Sequence, residues 1–305
     1  MSPLVSVVIP TFNRPDVVGL AISSVQQQRD VPGTIEVIVV NDGGIDVSSA
    51  IAKASEHGQP IRLIDLATNS GLSRARNAGI DAARGEFLAL LDDDDVYLPN
   101  HISTMLTTID CEKVDAAYGV CGLSTTRVDP QQPSFSSQYA SYPFDHDLLS
   151  VANFIPVHAP VLRMPPREAR FDPGLSALED WDMWLHLTRR YKYRFHHVPQ
   201  PTVVYHQIPG HSGMCATAAA ESSALAGFSR LAQHIWRRWP ATTAISQRFR
   251  LYITVMYCNG LTTLAEGKQL RGDYFQRCMD QIAEVWHGDR PEGGLADRII
   301  DSMTG

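Results

Sequence analysis

Phe87-Leu88-Ala89-Leu90-Leu91-Asp92-Asp93-Asp94-Asp95 sets an unbroken apolar run directly against four aspartates. A short run without polar alternation reads as a strand buried on both faces, the kind found where helices cover both sides of a parallel sheet. The pattern recurs upstream. Val5-Ser6-Val7-Val8-Ile9 is rich in β-branched residues and stops at Pro10, Ile35 to Val40 runs into Asn41-Asp42-Gly43-Gly44, and a further strand lies at Ile61 to Asp65. Between them the spacing predicts a helix capped by Asp16 and running to about Gln28, with Val18, Ile22 and Val25 on one face, and another from Ser48. Strands alternating with helices predict a doubly wound, mostly parallel α/β sheet. Ligands of such sheets sit beyond the carboxyl ends of the strands. The Asn41-Asp42 loop and the four aspartates both fall there, so two polar clusters point to one edge.

Asn69-Ser70-Gly71-Leu72-Ser73-Arg74-Ala75-Arg76-Asn77-Ala78-Gly79 leads into the last of these strands. Leu72, Ala75, Gly79 and Ala82 recur at helical spacing, which turns small residues to the sheet and the arginines toward solvent. From about Asp115 to His206 the pattern is less regular, with a Pro/Ser/Gln loop at Asp129 to Tyr142 and a helix over Trp181 to Tyr191 introduced by Glu179-Asp180. Beyond Gly213 an Ala-rich, helix-prone stretch reaches Ile235-Trp236, and after Pro240 a second one continues to about Trp286. The expected organisation is an α/β domain over 1–213, divided into halves 1–110 and 111–213, and a helical extension over 214–305.

Crowded carboxylates repel one another unless a cation or strong donors offset the charge. Oxygen ligands at a strand end suit Mg²⁺ or Mn²⁺, which commonly take one or two carboxylates plus substrate phosphates. The bland counterpart is a solvated acidic turn, and it is the position after a buried strand that favours a metal. Asp42 is either a turn residue, Asn-Asp-Gly-Gly being good turn chemistry, or an acceptor for a nucleobase or ribose donor. Arg74 and Arg76 at a helix start either hold a diphosphate or lie on the surface. In Glu179-Asp180-Trp181-Asp182-Met183-Trp184 a carboxylate beside tryptophan is either a general base or a helix cap with core aromatics.

These motifs, in this order, resemble the family 2 glycosyltransferases of the GT-A fold, a Rossmann-like nucleotide-diphospho-sugar transferase architecture. The likeness runs over residues 4 to about 212. It rests on Val5 to Arg14, Val39-Val40-Asn41-Asp42-Gly43, Asn69 to Gly79, Leu91 to Pro99 and Leu178-Glu179-Asp180-Trp181-Asp182. The resemblance implies a single inverting displacement that moves a sugar from a nucleotide diphosphate, UDP by default, to a hydroxyl of a glycan or a lipid- or protein-linked glycoconjugate. Pro10, Thr11 and Asp42 would line the nucleoside pocket, and Asn13, Arg76, Asn77, Asp92 and Asp93 would contact the nucleotide sugar. Asp94 and Asp92 would ligate Mn²⁺ or Mg²⁺, Asp180 would be the base and Glu179 its neighbour. His211, and less firmly His206, would close over the metal or diphosphate. Asn41 departs from the family, which often has an aspartate there, so the base specificity stays open.

Two rivals share parts of this pattern. A sugar nucleotidyltransferase would more usually carry a Gly-rich loop after the first strand, where this chain has Pro10-Thr11-Phe12-Asn13-Arg14. A non-catalytic glycan-binding module would need to have lost the metal pair or the base. The 305 residues carry a net charge of -7, which speaks against a general nucleic-acid surface. Five widely spaced cysteines with no C-x-x-C pair, and no basic start before a short apolar run, predict reduced thiols and a cytoplasmic setting. Apolar stretches are strand-sized, so no transmembrane segment is expected. Trp236-Arg237-Arg238-Trp239 in the tail could touch a membrane surface or a second subunit, but packing within the tail's own domain is the favoured reading.

Overall fold

Central strands dominated by apolar residues set the architecture. The computed structural model describes residues 3–55, 58, 61–135, 137–138, 141–208 and 214–304. Its strands are Val5–Thr11 (β1), Ile35–Asn41 (β2), Ile61–Asp65 (β3), Phe87–Leu90 (β4), Val96–Tyr97 (β5), Ala116–Ser124 (β6), Ser137–Gln138 (β7), Pro160–Arg163 (β8) and Phe195–His206 (β9). Among the described residues they form one nine-stranded sheet in the order β3-β2-β1-β4-β8-β6-β9-β5, with β7 on β6. The first four strands in that order are parallel. Beyond β4 the sheet is mixed: β8 is antiparallel to β4 and β6, and β6 is parallel to β9. In register, Thr11 stands opposite Asn41, and Val8 opposite Leu90. The loops after β1, β2 and β4 therefore leave the same edge.

The helices before residue 208 are Pro15–Gln26 (α1), Ser48–Ser55 (α2), Leu72–Ala82 (α3), His101–Glu112 (α4), His146–Leu149 (α5) and Glu179–Arg190 (α6). Proline at the first turn opens α1, because its fixed φ suits a helix start that lacks an N–H partner anyway. Asp16 thus lies inside the first turn rather than capping it. Val18, Ile22 and Val25 are buried as their spacing predicts. α3 departs from its prediction. Arg74 is exposed, but Arg76 shares the buried face with Ala75, Gly79 and Ile80.

The C-terminal helices are Met214–Ala220 (α7), Ser222–Arg238 (α8), Ala244–Ala265 (α9), Tyr274–Trp286 (α10) and Leu295–Met303 (α11). The second helical stretch is thus two helices, and α11 follows it. Gly267, at φ +76°, takes the left-handed conformation just after α9 that commonly ends a helix. The chain divides into two compact units, Met1–Pro143 with Ile155–Ile208 and Phe144–Phe154 with Pro209–Gly305. Within the second unit the Trp236 indole donates to the Val151 carbonyl at 3.0 Å, and the Arg250 guanidinium lies 5.3 Å from its ring centre. Arg250 also donates to the carbonyls of Ser150 and Trp239. Trp236 is accordingly packed within its own unit. Among the described residues no helix is long and apolar enough to cross a membrane.

Close approach of α3 to the sheet depends on Gly79, where an added Cβ would fall 2.2 Å from a Val8 methyl and 3.2 Å from a Val40 methyl. Overpacking a dense core costs about 1–3 kcal/mol, more than valine gains over glycine in helix propensity. Gly79→Val is expected to lower stability by about 2 kcal/mol in urea unfolding. An unchanged midpoint and slope would contradict this packing.

Candidate active site

The aspartates that follow β4 are each held differently. Thr11, at the end of β1, donates its hydroxyl to Asp93 Oδ2 at 2.7 Å. Arg14, on the next loop, bridges Asp93 Oδ1 at 2.9 Å and Asp94 Oδ2 at 2.7 Å. Asp94 is the most open of the four, its side chain 38% exposed. Asp95 is buried, and its Oδ1 accepts the backbone N–H of His206 at 2.8 Å. Asp92 Oδ1 pairs with Arg76 Nη2 at 2.7 Å.

Arg76 links this edge to a distant segment. Its other terminal nitrogen, Nη1, contacts Glu179 Oε1 at 2.5 Å, and the side chain is only 1% exposed. The guanidinium also lies 5.4 Å from the centre of the Phe171 ring. Asn77, the next residue of α3, donates to the Phe171 carbonyl at 2.8 Å and accepts from the Phe171 N–H at 2.9 Å. One turn of α3 thus fixes the approach to α6. Leu178, immediately before α6, takes φ +61°, a conformation uncommon outside glycine and typical of strained functional segments. Glu179 is buried, while Asp180 is half-buried in the first turn and accepts the Trp181 N–H at 2.8 Å. The Trp184 indole donates to the Ile155 carbonyl at 2.9 Å, tying α6 to the segment that leads into β8.

On the β2 side, Asp42 accepts the N–H groups of Ser70 and Gly71, one on each oxygen, both at 2.8 Å. Asn41 donates to Asp65 at 3.0 Å and to the Ile45 carbonyl at 3.2 Å, and accepts from the Gly44 N–H. An aspartate at 41 would face Asp65 as a like charge. Asn13, at φ +56°, accepts the Ile45 N–H at 3.0 Å. Pro10 and Thr11 are buried at the end of β1.

His206 Nδ1 lies 2.7 Å from the Asp94 carbonyl, and its Nε2 lies 3.2 Å from the Val128 nitrogen. A carbonyl only accepts and an amide N–H only donates, so the proton sits on Nδ1. Both nitrogens are engaged, and His206 clamps the backbone of the acidic loop. His211 lies outside the described residues. Sequence reasoning missed His158. It precedes β8 as a lone polar residue between Val157 and Ala159, without periodic signal, and comes to lie beside Asp92 and Asp95. Arg14 was likewise read only as part of a loop motif.

Charge crowding perturbs these groups in different directions. Burial pushes Asp93 up to about 6, against the pull of Thr11 and Arg14. Burial, with Asp94 and Asp92 nearby, drives Asp95 well above the usual carboxylate range. Burial resists ionisation of Asp92 too, but the Arg76 guanidinium outweighs it and holds the group below that range. Arg76 itself keeps its proton more firmly than a free guanidinium, since the carboxylates outweigh burial. A bound cation would reorder these acidities.

Residues 6–166 match the family described as Glycosyl transferase family 2. The chain belongs to this family. It is therefore a glycosyltransferase, with the GT-A fold and a helical C-terminal region. Over 204 residues it is 32% identical to an uncharacterized glycosyltransferase, YwdF of Bacillus subtilis, covering 66% of this chain and 73% of that protein. It is 40% identical over 115 residues to ExoO, a succinoglycan biosynthesis protein of Rhizobium meliloti, spanning 38% of this chain but only 31% of ExoO. S. aureus TarS 1-349, solved with UDP-GlcNAc, is similar with a TM-score of 0.53 at 14% identity, over 98% of this chain and 89% of that one. The Pyrobaculum calidifontis mannosyltransferase PcManGT, solved with GDP-Man and Mn²⁺, is similar with a TM-score of 0.57 at 14% identity, over 99% and 86%.

Behind the acidic edge, the buried His101 ring stacks on Tyr97 with centres 4.0 Å apart and lies 3.0 Å from the Thr202 hydroxyl. Burial lowers its pKa from 6.5 to about 3. The folded state then binds one proton fewer than the unfolded state between those values, so this contribution is full above pH 6.5 and is lost as pH falls toward 3. His101→Gln is expected to flatten the fall of unfolding free energy over that window by about 1.4 kcal/mol per pH unit. Identical slopes for the variant and the parent would contradict a neutral buried imidazole.

Proposed function

We propose that this glycosyltransferase is inverting and divalent-cation-dependent, and that it moves a sugar from a nucleotide diphosphate, UDP favoured, to a hydroxyl of a glycan or glycoconjugate. The observation that carries the reading is the Arg76 bridge, which joins Asp92 of the acidic loop to Glu179 beside Asp180. Donor-side and acceptor-side carboxylates thereby share one edge of the sheet. In this reading residues 1–110 hold the donor, and the more irregular half, 111–213, selects the acceptor.

Asp180 takes the proton of the acceptor hydroxyl as that oxygen attacks the anomeric carbon. The bond from the anomeric carbon to the diphosphate oxygen breaks with its electron pair, and the nucleoside diphosphate leaves. A divalent cation, once bound, offsets the charge that builds on that leaving group. Four clustered aspartates suit such a cation, and the buried Asp95 Oδ2 has no hydrogen-bond partner among the described residues. Asp92 and Asp94 are the carboxylates to which the family resemblance assigns it. Pro10, Thr11, Asn13 and Asp42 face the nucleoside. Each Asp42 oxygen, already accepting one N–H, retains a second lone pair for a base or ribose donor. Arg76 and Asn77 act on the donor indirectly here, by holding the acidic loop and the Phe171 segment. The nucleotide sugars in the TarS and PcManGT structures support the donor class, and Mn²⁺ in the latter supports the cation. The ExoO relationship favours a role in polysaccharide assembly.

Asp180→Asn is expected to lower kcat by about 10²–10⁴-fold while leaving the nucleotide-induced thermal shift intact, read as nucleoside diphosphate release across an acceptor panel. Full activity of the variant would overturn the assignment. A nucleoside diphosphate at 100 times its Kd is expected to stabilise the native state by about 2.7 kcal/mol, with the shift lost on chelation. A shift indifferent to chelator would remove the cation from the donor site, and release of pyrophosphate would favour a nucleotidyltransferase.

A further inference from the structure

Around the half-buried Asp92 the acidic loop holds a further set of ligand atoms. Asp92, Asp95 and His158 each present one such atom, and all three lie within 4.8 Å of one another. His158 is 2% exposed. Its Nδ1 is 3.1 Å from Asp95 Oδ2 and 3.9 Å from Asp92 Oδ2. Neither ring nitrogen, nor Asp95 Oδ2, has an aligned hydrogen-bond partner among the described residues. Buried polar atoms left this way cost free energy and point to a missing ion or water.

The charges point the same way. Asp92, Asp93, Asp94 and Glu179 each pair with Arg14 or Arg76. Asp95 pairs with neither. Besides the like-charged Asp92, Asp93 and Asp94, the titratable side chains near it are His158 and His206, and the His206 ring, hydrogen-bonded at both nitrogens as described above, is neutral. The outer shell is also in place: Asp95 Oδ1 is fixed by the His206 N–H, Asp92 Oδ1 by Arg76, and the His158 ring packs 5.3 Å from Tyr205. Metal ligands are commonly oriented by such outer contacts.

We infer that Asp92, Asp95 and His158 form a preformed cation site that takes a first-row transition-metal ion of the Mn²⁺ class through two carboxylate oxygens and the His158 imidazole. Two ligands at right angles, each about 2.1 Å from an octahedral ion, stand about 3.0 Å apart, close to the Asp95–His158 separation. Imidazole favours transition metals over Mg²⁺, which prefers oxygen alone. In this set Asp95 and His158 replace Asp94, the second carboxylate of the assignment by resemblance, which is exposed and paired with Arg14. The inference deepens the cation requirement proposed above, yet the site's occupancy is independent of donor and acceptor.

Its test uses the full chain without nucleotide. Mn²⁺ is titrated while the electron paramagnetic resonance signal of the free aqueous ion is followed, and bound Mn²⁺ is examined by pulsed resonance for a directly coupled nitrogen. The parent protein is expected to show a ¹⁴N coupling that changes on ¹⁵N-histidine labelling. His158→Gln is expected to lose it and to bind Mn²⁺ at least 10-fold more weakly. Asp95→Asn should weaken binding likewise, Asp94→Asn less than threefold, and excess Mg²⁺ should compete poorly. The labelling experiment needs no variant, so it holds if a substitution impairs folding. Bound Mn²⁺ without nitrogen coupling, binding abolished by Asp94→Asn alone, or no binding without nucleotide would each overturn the inference. If cation-dependent transfer persisted in those cases, the proposed function would survive. Nitrogen-coupled Mn²⁺ in a protein without transferase activity would support the site and sink the reaction.

Discussion

A guanidinium withdrawn from water between two carboxylates is the constraint around which this active edge is arranged. Arg76 is 1% exposed, and its partners Asp92 and Glu179 lie 16 and 103 residues away in the chain. Removing one partner of a buried pair commonly costs about 3–5 kcal/mol, because the charge left behind is uncompensated. Several local features serve that contact. Gly79 lets α3 lie close on β1 and β2, so that Arg76 reaches the acidic loop. Asn77 grips the Phe171 backbone, and the Phe171 ring covers the guanidinium. Leu178 accepts a left-handed conformation so that α6 begins at Glu179. Asp180 then stands at the helix start beside a neighbour whose position is fixed by Arg76 of α3.

Electrostatics gives the edge its chemical character. Two arginines serve four carboxylates, and a fifth is left to histidines. The nucleotide diphosphate of the proposed reaction would bring further negative charge to the same place. In the proposed reading, a cation already seated among these carboxylates lowers that repulsion and favours the donor. The same crowding accounts for Asn41. An amide there donates to Asp65 and closes the loop after β2, where a carboxylate would add one more repulsion.

Much of this was legible in the sequence because local pattern and tertiary role coincide. Val5 to Ile9, Ile35 to Val40 and Phe87 to Leu90 are buried strands whose apolar runs carry the signal by themselves, and Val18, Ile22 and Val25 mark the packed face of α1. The order of the five motifs identified the family. Arg76 was not legible as a buried residue. Helical periodicity reads apolar positions, and a charged side chain on the same face as Ala75 and Gly79 is buried only if distant carboxylates meet it. His158 escaped for a similar reason, since its partners come from the far end of another strand. In the helical region the stop after α9 was legible at Gly267 but was read through, and α11 lacked a flanking motif to announce it. His206 was recognised as a site residue, yet its two hydrogen bonds make it a clamp, a distinction that depends on which backbone groups face each nitrogen.

The most direct test of this account is a double-mutant cycle on the buried bridge, with Arg76→Met, Glu179→Gln and their combination compared by urea unfolding at neutral pH. If the guanidinium and the Glu179 carboxylate hold the two motifs together, the costs should be strongly non-additive, with a coupling of about 1–3 kcal/mol. Additivity within about 0.5 kcal/mol would mean that the two residues do not act as a pair, and the arrangement of the site around Arg76 would have to be abandoned.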